Sequence, residues 1–278
     1  MSVRSVFLLP AIIVRHRELL WSFVRRDLKA RYEGSLLGRL WPILNPLILF
    51  AVYYFVFVQV LKQKWESMGR TAIGSDAFAA LYIVSGILPW TAFSESVLRC
   101  SGVVLENGNL VKKIAFPSQL LPVYAVVVNL VYFLIGLSLF LILRTIFFGP
   151  PGWNCLALLL VIPLQLVFTS GLGLFLGALT IFIRDTSQIL GLVLQLWFFT
   201  TPIVYLSTLI HDTMPALASL MRSNPMFHLM EMYRACLVYE DGPFPWDSAA
   251  IFTAMAIGVF LPGYAFFLAT KDRFADEL

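Results

Sequence analysis

Charged residues vanish from this chain for some twenty positions at a time, and that spacing sets its class. Six charge-poor runs cover residues 42–61, 77–98, 118–143, 155–183, 187–206 and 248–270. A helix rises about 1.5 Å per residue, so a hydrocarbon core about 30 Å thick takes roughly twenty apolar residues to cross. Each run is near that length. With their flanks, the runs predict an all-α membrane protein with six spanning helices over 36–61, 77–101, 118–146, 155–183, 187–206 and 248–270. The third and fourth runs would merge but for Gly149-Pro150-Pro151-Gly152, where proline cannot continue a helix and glycine favours a turn. Only the second run holds both an acid and a base inside it or at its end, Glu95 and Arg99. Their four-residue spacing puts them on one helical face, where they are expected to pair with each other.

Two regions break the pattern. Before the first run, at 100° per residue, Ile12, Ile13, Leu19, Leu20, Phe23 and Val24 share one face, and Arg15, Glu18, Ser22, Arg25, Arg26 and Lys29 the other. Arg31 follows, and residues 1–35 therefore predict a basic amphipathic helix lying in the headgroup plane. Between the fifth and sixth runs, residues 207–247 hold two moderately apolar pieces, 210–221 and 226–238, too short or too interrupted to span. Breaks at membrane depth persist only where protein or a water cavity covers them, which favours a re-entrant pair of half-helices over two helices lying on the outer leaflet.

Composition agrees. Of 278 residues, 59% are hydrophobic and 13% charged, about half the charged share of a soluble domain. The net charge of +4 is not a nucleic-acid footprint, because the basic residues gather at span ends. Fourteen fall on the side that holds both termini, Lys112, Lys113 and Arg184 among them, against six opposite: Lys62, Lys64, Arg70, Arg144, Arg222 and Arg234. The positive-inside rule then places both termini in the cytoplasm. The apolar stretch 6–14 is followed by Arg15-His16-Arg17 rather than a small-residue cleavage site. Cys100, Cys155 and Cys236 have no metal-ligand spacing and read as buried small hydrophobes, a Cys155–Cys236 bridge being the minor alternative. Arg184-Asp185, in the turn after the fourth run, reads as a topological stop whose charges pair.

Residues 106–117, between the second and third runs, combine Glu106, Asn107, Asn109, an apolar seam of Leu110, Val111 and Ile114, the pair Lys112-Lys113, and Phe116-Pro117. Either asparagine would cap a short helix and Pro117 would stop it. Further along stand Thr201-Pro202-Ile203-Val204-Tyr205, then Asn224-Pro225, then Glu231-x-x-Arg234.

Tyr32-x-Gly34-Ser35-x-Leu37-Gly38-x-Leu40-Trp41 followed by Asn45-Pro46, the asparagine–lysine–Phe-Pro loop, and Thr-Pro-Ile-x-Tyr with Asn224-Pro225 and Tyr233-Arg234 together resemble the membrane subunit of bacterial ABC-2 type polysaccharide exporters, those for O-antigen, capsule and teichoic acid. The likeness extends over nearly the whole chain and departs slightly at Glu33 and Arg39. It implies a permease in the cytoplasmic membrane, paired with a second copy of itself and two cytoplasmic ABC ATPase subunits, moving a lipid-linked glycan. On this resemblance the loop 106–117 is a stub coupling the chain to the ATPase, and the helix bearing Arg25, Arg26, Lys29 and Arg31 adds a docking surface. Thr201, Pro202, Tyr205, Asn224, Pro225, Glu231 and Arg234 mark a gate region, and Tyr53, Phe57, Trp197 and Phe199 stand where the family lines its conduit. No phosphate-binding Gly-x-x-x-x-Gly-Lys-Ser/Thr loop occurs, so ATP and Mg belong to the partner, and no catalytic or metal-ligating constellation is visible. A drug or lipid exporter of the same type is the nearest alternative. An ion-coupled carrier is disfavoured, since it would place ionisable groups at mid-membrane.

Overall fold

The computed structural model describes residues 8–31, 33–35, 37–60, 75–112, 116–207, 219, 221–239 and 242–278. Every regular element among them is helical: α1 (Leu8–Arg15), α2 (Arg17–Ala30), α3 (Trp41–Tyr54), α4 (Ser75–Glu106), α5 (Gly108–Val111), α6 (Leu120–Phe148), α7 (Leu158–Phe182), α8 (Thr186–Thr200), α9 (Pro225–Leu237), α10 (Trp246–Thr270) and α11 (Phe274–Glu277). Four of the described stretches are long and apolar enough to cross a membrane, namely Phe78–Glu106, Leu120–Phe148, Trp153–Phe182 and Trp246–Glu277. Two further apolar helices, α3 and α8, are shorter. α3 runs on into a π-helical turn, Phe55–Val60. α8 stops at Thr200, six residues before the expected end, because Thr201 turns to an extended backbone ahead of Pro202. Gly149 ends α6 with φ 89°, a conformation that suits glycine.

α4 lies at the centre, against α3, α6, α7, α8 and α9. α7 packs most extensively on α10, and glycines let the backbones touch. A Cβ at Gly171 would meet the backbone nitrogen of Phe260 at 2.7 Å, and one at Gly263 would overlap the carbonyl oxygen of Gly171. On its other side, α7 presents Gly173 and Gly177 to α4. Added Cβ atoms there would lie 2.8 Å from the Cys100 sulfur and 2.9 Å from its carbonyl oxygen. Small residues bring helices together in this way when lipid supplies no hydrophobic drive for association.

A second apolar cluster gathers one end of the molecule. Leu20, Phe23 and Val24 of α2, all expected on the apolar face, are buried there with Val103, Val104, Leu121, Tyr124, Ile181, Phe267 and Phe274. Phe23 stacks on Tyr124 at 5.4 Å. The expected amphipathic segment is broken at His16 into α1 and α2.

Two local expectations about charge pairs are corrected, and the reading of the cysteines as unpaired is kept. Glu95 and Arg99 take other partners: Glu95 pairs with Arg31 at 2.8 Å. Arg99 reaches Glu106 at 2.5 Å and Asp27 at 3.7 Å. Tertiary neighbours with better geometry outweigh the weak i,i+4 interaction. The three cysteines are free thiols. Arg184 and Asp185 are exposed in the turn between α7 and α8 and form no ion pair with each other, as exposed charges gain little from pairing. Residues 210–218 of the expected half-helix pair, together with Tyr32, Lys113, Ile114 and Asp241, lie outside the described residues.

Candidate functional site

Two proline-bearing signatures, far apart in sequence, meet where α8 ends and α9 begins. Asn224 caps α9, its Oδ1 accepting the Met226 backbone N–H at 3.0 Å, and Pro225 fits the first helical position, where no N–H is needed. The same oxygen accepts the Trp197 indole N–H at 2.8 Å, while Asn224 Nδ2 donates to Thr201 Oγ1 at 2.9 Å. Thr201 in turn donates to the Trp197 carbonyl at 2.8 Å. One amide side chain thus ties the start of α9 to the end of α8. Tyr205 folds back to the same turn, donating to the Phe199 carbonyl at 2.9 Å.

α9 is buried on nearly every face, and its polar residues explain how. Arg234 is fully buried. Its guanidinium lies 3.5 Å over the Tyr82 ring and donates through Nη2 to the carbonyls of Pro202 and Ile203. Glu231, one turn earlier, supplies a carboxylate at 3.5 Å. Taking an arginine out of water costs several kcal/mol unless such partners surround it, so the cation fixes the Pro202 turn against α9 and α4. Gln165 of α7 joins the opposite side, donating to the Pro89 carbonyl at 2.9 Å and accepting from the Tyr233 hydroxyl at 2.5 Å. Burial holds the Tyr233 phenol well above its usual range, so it remains a donor. Burial, with a smaller push from Cys155, raises the Cys236 thiol to about 12, which leaves it uncharged and inert. Arg144, buried near the end of α6, donates to the carbonyls of Leu237 at 3.1 Å and Gly149 at 2.6 Å and so pins the far end of α9.

The second group of candidates collects at the other apolar cluster. Glu106 closes α4 and holds Arg99. Asn107, expected as a cap, instead donates to the Val103 carbonyl at 2.8 Å and finishes α4. α5 that follows is a single turn, Gly108–Val111, with Leu110, Val111 and Phe116 packed on the cluster and Asn109 and Lys112 exposed. Pro117 is half-buried ahead of α6. On α2, Arg25 and Lys29 are exposed, and Arg26 lies 4.9 Å over the Phe23 ring. Arg31 leaves that surface: besides Glu95 it donates to Asn129 Oδ1 at 3.3 Å and stands 4.6 Å over Tyr132.

The four aromatic candidates separate. Tyr53 lines a cavity of about 490 Å³ between α3, α4 and α6, with Arg31, Glu95 and Asn129 at its polar end. The Phe57 side chain lies outside the described residues. Trp197 turns inward, its ring 5.4 Å from Phe93 and 6.2 Å from Trp90, whereas Phe199 is 60% exposed.

Residues 18–238, from α2 to just past α9, match the model of the ABC-2 type transporter family. The chain belongs to that family. An ABC-2 relative, the O-antigen export system permease protein RfbA of Myxococcus xanthus, is 33% identical over 268 residues, 96% of this chain and 97% of that protein. The protein of the same name from Klebsiella pneumoniae is 26% identical over 94% of this chain and 95% of its own length. The polysialic acid transport protein KpsM of Escherichia coli is 23% identical over 86% and 89%. The family match takes in both groups of candidate residues, the Asn224–Thr201–Arg234 cluster and the α4–α5 end. Sequence reasoning about this ABC-2 chain missed Gln165, Asn129, Asp27 and the burial of Arg144. Gln165, Asn129 and Arg144 are each a lone polar residue in or beside an apolar run, and the signal was that isolation, since a polar group there needs a partner; Asp27 stands among the charges of α2 and carried no such signal.

Proposed function

We propose that this chain is the permease subunit of an ATP-driven exporter moving lipid-linked polysaccharide of the O-antigen kind outward across the bacterial cytoplasmic membrane. The similarity to RfbA of Myxococcus xanthus over 96% of the chain carries the reading. In it the chain performs no catalysis. Two copies work with two separate ATPase subunits that bind ATP and Mg. Six helices span: the four long ones, α3 lengthened by its π turn to twenty helical residues, Trp41–Val60, and α8. α2 lies at the cytoplasmic surface with Trp21, Arg25 and Lys29 outward. Residues 207–247 dip from the outer face as a re-entrant pair of which α9 is the second half. The buried Arg234 and Gln165 support that placement, because such polar groups persist at depth only when protein covers them. α5 and its flanks, from Glu106 to Pro117, form the stub that receives movement from the ATPase, with Lys112 exposed just after α5. Tyr53, Trp197 and Phe199 border the conduit, and the Thr201–Asn224–Arg234 cluster braces its outer gate. Removing the chain from its host should leave completed glycan inside the cell, read as loss of surface polysaccharide with retention of labelled lipid-linked chains. Unchanged surface polysaccharide would overturn the reading.

Two expected results follow from this arrangement. Changing both Lys112 and Lys113 to Glu should leave insertion intact but separate ATP hydrolysis from export, lowering glycan moved per ATP about tenfold, as expected for a lost coupling of 1–3 kcal/mol. Export at the normal ratio would remove the stub from the mechanism. For topology, a cysteine replacing Asp247 should react with an impermeant maleimide added to intact cells, and one replacing Glu277 only after lysis. The opposite pattern would invert the proposed orientation.

A further inference from the structure

The segment that follows α10 does not trail away from the molecule. Phe274 is fully buried, with its ring 5.2 Å from Phe267 and 6.4 Å from Phe182. One turn later, Leu278 reaches α5: a Cβ on Gly108 would stand 3.6 Å from the Leu278 Cβ and 3.6 to 3.7 Å from its two methyl carbons. Leu278 joins the same apolar cluster as Leu110, Val111 and Phe116, and α11 touches α5 and α7. α5 has four residues and its N-cap asparagine is turned back toward α4, so the stub has little internal stiffness. A single turn of helix is not stable by itself and takes its order from what it packs on. Part of what α5 packs on is Leu278.

We propose that Phe274–Leu278 is a positioning element for α5: Phe274 anchors the segment between α7 and α10, and Leu278 forms a shelf that holds the stub at a fixed height and tilt. The inference rests on the reading of α5 as the ATPase-coupling stub. A stub backed by a rigid shelf passes a push on to α4, α7 and α10 together, whereas an unbacked one absorbs it. Asp276 and Glu277 between the two anchors stay exposed and take no part in this packing.

The test uses the full chain with its ATPase. Gly108→Cys with Leu278→Cys should cross-link on oxidation with copper phenanthroline, since the separation falls within the 3.5–4.5 Å Cβ–Cβ range of a disulfide. The cross-linked protein should export as well as its reduced form, because shelf and stub move as one body. Leu278→Asp should lower glycan exported per ATP about tenfold while insertion and assembly with the ATPase are retained, and Leu278→Met should restore it. That ratio and its rescue distinguish positioning from a general loss of stability, which would lower the amount of complex instead. Failure to cross-link, loss of export on cross-linking, or normal coupling in Leu278→Asp would each overturn the proposal. If Leu278→Asp couples normally while the Lys112 and Lys113 reversal uncouples, the shelf fails and the stub stands. If neither uncouples, the stub reading itself fails.

Discussion

Replacing Gly171 by leucine is expected to eliminate the folded protein. The Cβ that any other residue carries would run into the backbone of Phe260, and no rotamer moves a Cβ or a backbone atom out of the way. α7 and α10 would have to separate. That would undo the largest helix contact and, through Gly173 and Gly177 on the other side of α7, disturb the contact with Cys100 on α4. Overpacking a flexible core site usually costs about 1–3 kcal/mol, and a backbone collision belongs above that range. In detergent, the variant should lose its monodisperse chromatographic peak and become protease-sensitive along its length. Gly191→Leu, on an open face of α8 where nothing lies within 4 Å of an added Cβ, should behave as the parent does. A normal profile for Gly171→Leu would mean that α7 and α10 do not approach at backbone distance.

Arg234→Ala should be the most damaging single polar change. It strips two carbonyls of their donor, leaves Glu231 without its cation and empties the space over Tyr82. Leaving buried carbonyls without their donor costs about 1–3 kcal/mol, and the loss of the cation beside the partly exposed Glu231 adds to it. Arg234→Lys should recover little, because an ammonium offers neither the planar fork nor the flat face that stacks on tyrosine. Asn224→Ala should cost about 1–2 kcal/mol as a lost cap, with more from the unpaired Trp197 indole. The two sites act on one turn, Thr201-Pro202-Ile203, so the double variant should lose less than the sum of the single losses. Thermal unfolding of the four proteins completes the cycle. Strict additivity would show that the turn is held from two independent sides.

Hydropathy made the long helices legible to within a few residues. The expected 155–183 and 248–270 compare with Leu158–Phe182 and Trp246–Thr270, because a bilayer demands length and the Gly149–Gly152 break is explicit in the chain. The burial of α9 was harder to read. It carries His228, Glu231 and Arg234 in thirteen residues, and the expected re-entrant pair named no partners for them. Only the mutual satisfaction of those groups by Arg222, Ser248, Tyr82 and the Pro202 turn puts it inside. Partner choice was illegible for the same reason. Spacing along one helix nominated Arg99 for Glu95, yet Arg31 lies nearer once α2 is docked, and no period in the sequence encodes that. The signatures Thr201-Pro202 and Asn224-Pro225 could be singled out separately. That one asparagine side chain joins them depends on how α8 and α9 turn toward each other, which is a property of packing.

The docking of α2 also has a consequence for how the protein is made. Leu20, Phe23 and Val24 rest on Tyr124, Leu121 and Val104, none of which exists when α2 leaves the ribosome. Roughly ninety residues separate Ala30 from the first turn of α6 at Leu120. At 5–20 residues per second that is an interval on the order of ten seconds during which a basic helix with an open apolar face has no protein to lie on. The anionic headgroup layer is the host that suits both of its faces in the meantime. On the proposed function, the residues that later clamp α2 to α6 are the ones that first hold the nascent chain at the membrane. A charge introduced at Phe23 or Val24 would reduce the amount of protein inserted before it could weaken the finished fold.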